Sequence, residues 1–189
     1  MTPTEIKDRF TQTGALLEGH FLLRSGLHSD KYFQAAQLMQ RCRIASELCG
    51  ELAARFQGVT IETVISPAVG GIVVGQEVGR HLDVRAIFAE KDDESNLLLR
   101  RGFSLAPGEK VLVAEDVITK GGRVQQTLDV VRACGAEVVG VAVLVDRSDG
   151  TLDFGTRLES LVRLSLATYT PEDCPLCRQG LALVKPGSK

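Results

Sequence analysis

Apolar residues recur along this chain in two rhythms, one of about four residues and one of short uninterrupted runs. Near the start, Pro3 sits where a first helical turn tolerates it, and Ile6, Phe10 and Leu17 follow at roughly helical spacing, with Gly14 as an early break. HFLLRSG and KYFQAA read as two extended segments around a tight turn at Gly26. Ile44, Leu48, Leu52 and Phe56 then recur every four residues, the stripe of an amphipathic helix on a sheet, and Gly58 is its stop. From there buried strands TVIS (63–66), VRAIFA (84–89), KVLVAED (110–116) and EVVGVAVLVD alternate with the predicted helices GIVVGQEVGRHL and RVQQTLDVVRACG. That alternation predicts an α/β, Rossmann-like doubly wound and mainly parallel sheet. The N-terminal extended pieces and a late strand, VRLSL (162–166), are expected to form a small cap or edge elements. Gly71, Gly75 and Gly79 form a stripe that lets their helix approach the sheet or the PAVGG loop closely.

At 189 residues, with no internal repeat or low-complexity tract, the chain fits one domain with a single core. Acidic residues exceed basic ones by 24 to 22, and the pI near 6.0 gives no broad attraction to nucleic acid or anionic lipid. Any anion site must therefore be local. No apolar stretch approaches the ~18 residues that span a bilayer, and MTPTEIKDRF lacks the features of a secretory signal, so a cytoplasmic location is expected. Five cysteines fit reduced thiols. Cys174 and Cys177 form one CPLC pair, which reads first as a turn in a C-terminal tail; a zinc or redox site is the alternative. Zinc would need two more ligands, and neither a second cysteine pair nor a spaced histidine pair is visible. No residue is assigned as a metal ligand on this reading, and His20 and His81 are assigned no role.

The segment richest in chemistry is VLVAEDVITKGG, Val111 to Gly122. A buried strand ends in a turn with a hydroxyl and two glycines that opens a helix, which is phosphate-cradling geometry. Thr119 adds a hydroxyl donor, and Gly121 and Gly122 permit close backbone approach. The segment matches neither GxxxxGK[ST] nor GxGxxG. Adjacent carboxylates, Glu115 and Asp116, would repel a bare phosphate. A ribose 5-phosphate satisfies both features: its phosphate enters the N–H cradle while its hydroxyls donate to the carboxylates. Positive charge that develops on the sugar ring during displacement at the anomeric carbon would be stabilised by the same carboxylates.

This run resembles the phosphoribosyl pyrophosphate signature of the type I phosphoribosyltransferases, in the order apolar strand, Glu-Asp, two apolar residues, Thr, one residue, Gly-Gly. Three other segments resemble the orotate branch of that family: LRSGLHSDKYF (23–33), SPAVGG (66–71) and LVDRSDG (144–150). The resemblance covers nearly the whole chain, from about Gly14 to the CPLC tail. It implies transfer of 5-phosphoribosyl from phosphoribosyl pyrophosphate to orotate, with Mg²⁺ carried mainly by the pyrophosphate substrate. It implies a hood built from about residues 1–40 and the C-terminal segment, and a homodimer whose lid loop, 91–102, acts across the interface. Glu115 and Asp116 would hold the sugar; Val117, Ile118, Thr119, Lys120, Gly121, Gly122 and Arg123 would form the 5-phosphate loop; Ala68, Val69 and Gly70 would bind pyrophosphate.

Orotate carries a carboxylate, so its pocket needs a cation or directed N–H donors, and Arg147 and Arg24 are the candidates. The family pattern sets Arg147 and Thr119 against orotate, and Arg24, at a position usually lysine, near pyrophosphate. His28 reads as a hydrogen-bonding or exposed loop residue beside this pocket. The lid departs from the family pattern. It offers Lys91 at its start and Arg100 and Arg101 at its end, with Asp92, Asp93 and Glu94 between, which leaves Lys91 as the candidate catalytic cation. Lys120 and Arg123 also stand where small or hydroxylated residues are usual. Two alternatives remain open: a phosphoribosyltransferase for another base, and a non-catalytic regulator that senses the cosubstrate and binds nucleic acid. The absence of a basic arm or helix-turn-helix extension speaks against the second.

Overall fold

The structure is a computed structural model and describes residues 1–23 and 25–186. Helix α1 (Pro3–Gln12) starts at Thr2, whose side chain accepts from the Glu5 N–H while Glu5 reaches back to the Thr2 backbone, a capping box. Strands β1 (Leu16–Leu22) and β2 (His28–Phe33) then pair antiparallel. Helix α2 (Ala35–Met39) follows, where the extended reading of KYFQAA had continued through Ala35 and Ala36. Their small side chains carry no strand preference, and the burial of Ala35, Leu38 and Met39 selects a helical turn.

Helix α3 (Cys42–Ala54) leads to β3 (Thr63–Pro67), α4 (Gly70–Leu82) and β4 (Arg85–Lys91). Strand β5 (Leu97–Leu99) folds back antiparallel on β4. Then come β6 (Lys110–Ile118), α5 (Gly122–Ala133), β7 (Glu137–Asp146) and β8 (Leu158–Arg163). The late strand thus begins four residues before VRLSL and joins the main sheet, parallel to β7, because Leu158 and Val162 register with Val141 and Val145. Strand β9 (Thr168–Tyr169) extends the β1–β2 pair, and a short helix, α6 (Pro175–Arg178), lies in the tail.

The six-stranded sheet has the order β5-β4-β3-β6-β7-β8, and all but β5 run parallel. Its strands alternate faces as period-two geometry requires. Val64, Leu112, Ala142 and Leu144 pack under α1 to α4, while Ile65, Val111, Val113, Val141 and Val143 pack under α5. After β3 the chain crosses one face to β4 on the left; after β6 it crosses the other face to β7 on the right. The carboxyl ends of β3 and β6 therefore splay their loops apart at the switch point of a doubly wound sheet, where such folds place ligands. Gly75 and Gly79 bring α4 onto Ser66 and Ala86, as the glycine stripe predicts. Among the described residues no helix is long and apolar enough to cross a membrane.

Candidate functional site

Three loops meet at that switch point. Strand β6 carries Glu115, which is buried, and Asp116, which is partly buried, to the carboxyl edge of the sheet. The Asp116 N–H donates to Glu115 Oε1 at 3.0 Å and the Val117 N–H to Asp116 Oδ1 at 2.7 Å, so the backbone fixes both carboxylates. The start of α4 presses against the pair: a Cβ added at Gly70 would lie 2.7 Å from Asp116 Oδ2, and one at Gly71 would lie 3.0 Å from Glu115 Oε1. Ala68 and Val69 lie in the preceding loop, joined by a cis peptide, with Val69 exposed. SPAVGG and the acidic doublet, 44 or more residues apart in sequence, thus share one surface. Burial first, and the neighbouring Asp116 charge second, push the Glu115 carboxyl up to about 9. Burial raises Asp116 as well.

Beyond the doublet, Val117 to Arg123 border a cleft of about 430 Å³ that Glu115 also lines. Gly121 is the N-cap of α5 at φ 72, a left-handed conformation, and a Cβ there would meet Phe154 Cζ at 2.9 Å. No side chain caps this helix, and the first helical amide to find its partner is that of Gln125, which donates to the Gly121 carbonyl at 2.9 Å. Among the described residues the amides of Gly122, Arg123 and Val124 therefore find no partner at this helix N-terminus, the arrangement that binds phosphate. Arg123 Nη1 is buried and finds no hydrogen-bond partner among the described residues. A buried guanidinium donor without an acceptor is costly, and an anion in the cleft would satisfy it.

A second cleft, of about 600 Å³, opens on the other side of the same loop. Thr119 and Lys120 line both clefts. Here Arg147, from the loop after β7, faces Tyr32 of β2 and Leu23 and Ser25 of the β1–β2 turn. Burial lowers the Arg147 guanidinium from its ordinary value, and its Nε also lacks a partner among the described residues. The backbone of Arg147 is anchored by its N–H to the Ile118 carbonyl at 2.9 Å. Asp146 holds the loop: it is 2 % exposed and accepts from the Ser148 N–H at 2.8 Å and from Ser148 Oγ at 2.6 Å, with Arg163 at 3.6 Å.

Residues 35–156 match the family described as the phosphoribosyl transferase domain. An orotate phosphoribosyltransferase of Desulforamulus reducens is 55% identical over 189 residues, 100% of this chain and 98% of the relative. One from Pelotomaculum thermopropionicum is 53% identical over 100% of this chain and 99% of its own length. The chain belongs to the orotate phosphoribosyltransferase family. The crystal structure of the orotate phosphoribosyltransferase from Aeropyrum pernix superposes with a TM-score of 0.70 at 25% identity, covering 84% of this chain and 93% of that one.

Within this family member, Glu115 and the 117–123 loop line the first cleft and Thr119, Lys120 and Arg147 the second, while Asp116 and Gly70 lie beside each other next to Glu115 and, with Ala68 and Val69, line neither cleft. Arg24 lies outside the described residues. Lys91 ends β4, is exposed, and lines neither cleft. The 91–102 segment is a hairpin rather than an irregular loop: β5 pairs back on β4, the Asn96 N–H donates to Asp92 Oδ1 at 2.8 Å, and Ser95 reaches the first cleft. Arg101 is paired with Glu90 at 2.6 Å. His28 is a hydrogen-bonding residue, with Nδ1 2.9 Å from His20 Nε2, but it is buried at the start of β2 rather than exposed in a loop. The sequence singles out neither Tyr32, which it offers only within the 23–33 segment that resembles the orotate branch, nor Asp146, although Asp two positions before Ser is the signature of an Asx turn.

Proposed function

We propose that the protein transfers the 5-phosphoribosyl group of phosphoribosyl pyrophosphate to orotate, giving orotidine 5′-phosphate and pyrophosphate. One observation carries this reading: the phosphate cradle and the Arg147 cleft share Thr119 and Lys120, and each contains a buried arginine nitrogen in need of an acceptor. A phosphate in the first and a ring carboxylate in the second would supply those acceptors, with the ribose spanning the doublet between them.

In this reading the α5 amides and Arg123 hold the 5-phosphate, and Glu115 and Asp116 accept from the ribose hydroxyls. Arg147 orients orotate so that its N1 faces the anomeric carbon. The new C–N bond forms as the bond to pyrophosphate breaks; Glu115, which burial keeps protonated, contributes hydrogen bonds to the ribose, and the negative charge carried by Asp116 stabilises the positive charge that grows on the ring. The Ala68–Gly70 loop binds the departing pyrophosphate through its amides. Glu115 and Asp116 are too buried to form an open cation cage, so the site fits a magnesium ion that arrives with oxygen ligands of its own. When bound, Mg²⁺ offsets negative charge on the leaving pyrophosphate. The 91–102 hairpin acts as a lid, with Lys91 supplying a cation to the partner's site in a cytoplasmic homodimer. Residues 1–40 and the C-terminal segment form the hood of this single domain.

The direct test mixes pure protein with phosphoribosyl pyrophosphate, magnesium and one base at a time. Orotate absorbance should fall with stoichiometric pyrophosphate release, while uracil, adenine and hypoxanthine give at least ~100-fold lower kcat/KM, since a site built around a charged substituent rejects bases that lack it. Equal rates with uracil would overturn the assignment of the base.

A further inference from the structure

The C-terminal segment poses a physical problem. From Glu172 to Val184 only Cys174 is fully buried, and Leu181, Leu183 and Val184 are 48%, 44% and 51% exposed. Apolar burial does not hold this segment in place, and segments with so little core need a covalent or metal staple. Yet it is fixed against the hood: the Val184 N–H donates to the His20 carbonyl at 2.8 Å, and the Leu22 N–H donates to the Val184 carbonyl at 2.8 Å.

The same region gathers four ligand-type side chains from three separate places. His20 projects from β1, His28 from the start of β2, Cys174 caps α6, and Cys177 lies within it. Their donor atoms all fall within 4.8 Å of one another. His20 Nε2 is 2.9 Å from His28 Nδ1 and 3.5 Å from Cys174 Sγ; Cys177 Sγ is 3.7 Å from His20 Nε2 and 3.3 Å from His28 Nδ1. Tetrahedral zinc with bonds of ~2.0–2.1 Å to nitrogen and ~2.3 Å to sulfur has edges of ~3.3–3.8 Å, so the His–His edge, at 2.9 Å, must open and the widest separation, up to 4.8 Å, must close for the four to surround one ion. Histidine orientation agrees. His20 Nδ1 lies 2.9 Å from the Leu181 carbonyl, which can only accept, so Nδ1 carries the proton and Nε2 presents its lone pair to the centre. His20, His28 and Cys174 are buried, which shields the cluster from water.

We propose that His20, His28, Cys174 and Cys177 bind one structural zinc ion that staples the C-terminal segment to the β1–β2 hairpin. Four protein ligands leave no open position, so the role is structural rather than catalytic. The staple would also steady the base cleft, because Leu23 and Ser25 follow β1 and Thr168 belongs to β9, and all three line that cleft. In the sequence CPLC reads first as a plain turn because no second cysteine pair or spaced histidine pair stands near it; His20 and His28 lie some 150 residues upstream.

The full chain, purified in reducing buffer without chelator, should contain about one zinc per chain by elemental analysis. Cobalt substitution should give the intense visible bands of tetrahedral thiolate coordination. Cys177→Ser, at the exposed edge of the cluster, should lower zinc content at least fivefold and abolish the cobalt spectrum, while Cys42→Ser and Cys134→Ser keep both. Stripping zinc from the unaltered protein should lower its melting temperature, and added zinc should restore it. A reduced, folded protein that binds neither metal, a Cys174–Cys177 disulfide in protein isolated from the cell, or full zinc content in Cys177→Ser would each overturn the proposal. None of these readouts uses turnover, so the site stands or falls independently of the reaction proposed above.

Discussion

Glu115 is the residue whose environment is most at odds with its chemistry. A carboxyl with an ordinary value near 4.5 is pushed up to about 9 by burial and by Asp116 beside it. Its folded value exceeds its unfolded one, so the folded state holds a proton that the unfolded state releases. The resulting stability is fully present below about pH 4.5 and is lost progressively as pH rises towards 9. Glu115→Gln removes this dependence. The variant should melt higher than the parent at pH 8, by about 2–4 °C for each kcal/mol regained, with the gap closing at pH 5; melting curves that stay parallel across that range would refute the assignment. Asp116→Asn keeps the shape and removes the charge. Turnover should fall roughly 100-fold or more while nucleotide binding weakens by less than about tenfold, as expected of a group that acts mainly in the transition state. Steady-state kinetics with a parallel binding titration separates the two.

At the scale of elements, the proposed phosphate loop rests on β6 ending and α5 beginning within four residues, with Gly121 making the turn. Gly121→Ala places a side chain at φ 72 and against Phe154, which should cost about 1–2 kcal/mol in backbone strain alone. The free amides at the α5 start would tilt with it. KM for phosphoribosyl pyrophosphate should rise more than kcat falls, with a lower melting temperature; unchanged KM would mean the amides do not hold the phosphate. This motif was legible in the sequence because all its parts are contiguous. The strands β3, β4, β6 and β7 were legible for the same reason, each being an apolar run bounded by polar residues. Strand β8 was misplaced and β5 and β9 were missed. Their residues carry weak patterns of their own and become strands only by pairing with β7, β4 and β2.

For the whole molecule, the proposed dimer makes each site depend on two chains. Lys91 lines neither cleft of its own chain, and in the proposed dimer it serves the partner's site. If so, inactive Lys91→Ala and inactive Asp116→Asn proteins, mixed under conditions that exchange subunits, should recover about a quarter of wild-type activity, since random pairing of two-fold dimers restores one intact site in each mixed pair. No recovery would place Lys91 in its own chain's site or outside catalysis.

The sequence by itself determined the alternating α/β order, the acidic doublet, the glycine turn that opens α5 and the family, because each is written in neighbouring residues whose local physics does not wait for the rest of the fold. Only the tertiary structure decided which distant groups meet. Chain crossing at the switch point set Gly70 and Gly71 against the doublet, Asp146 and Arg163 fixed the loop that aims Arg147, and return of the tail to the hood brought Cys174 and Cys177 to His20 and His28. Such meetings depend on strand order and register, which are settled by the burial of whole sheet faces and leave no trace in the spacing of the residues they join.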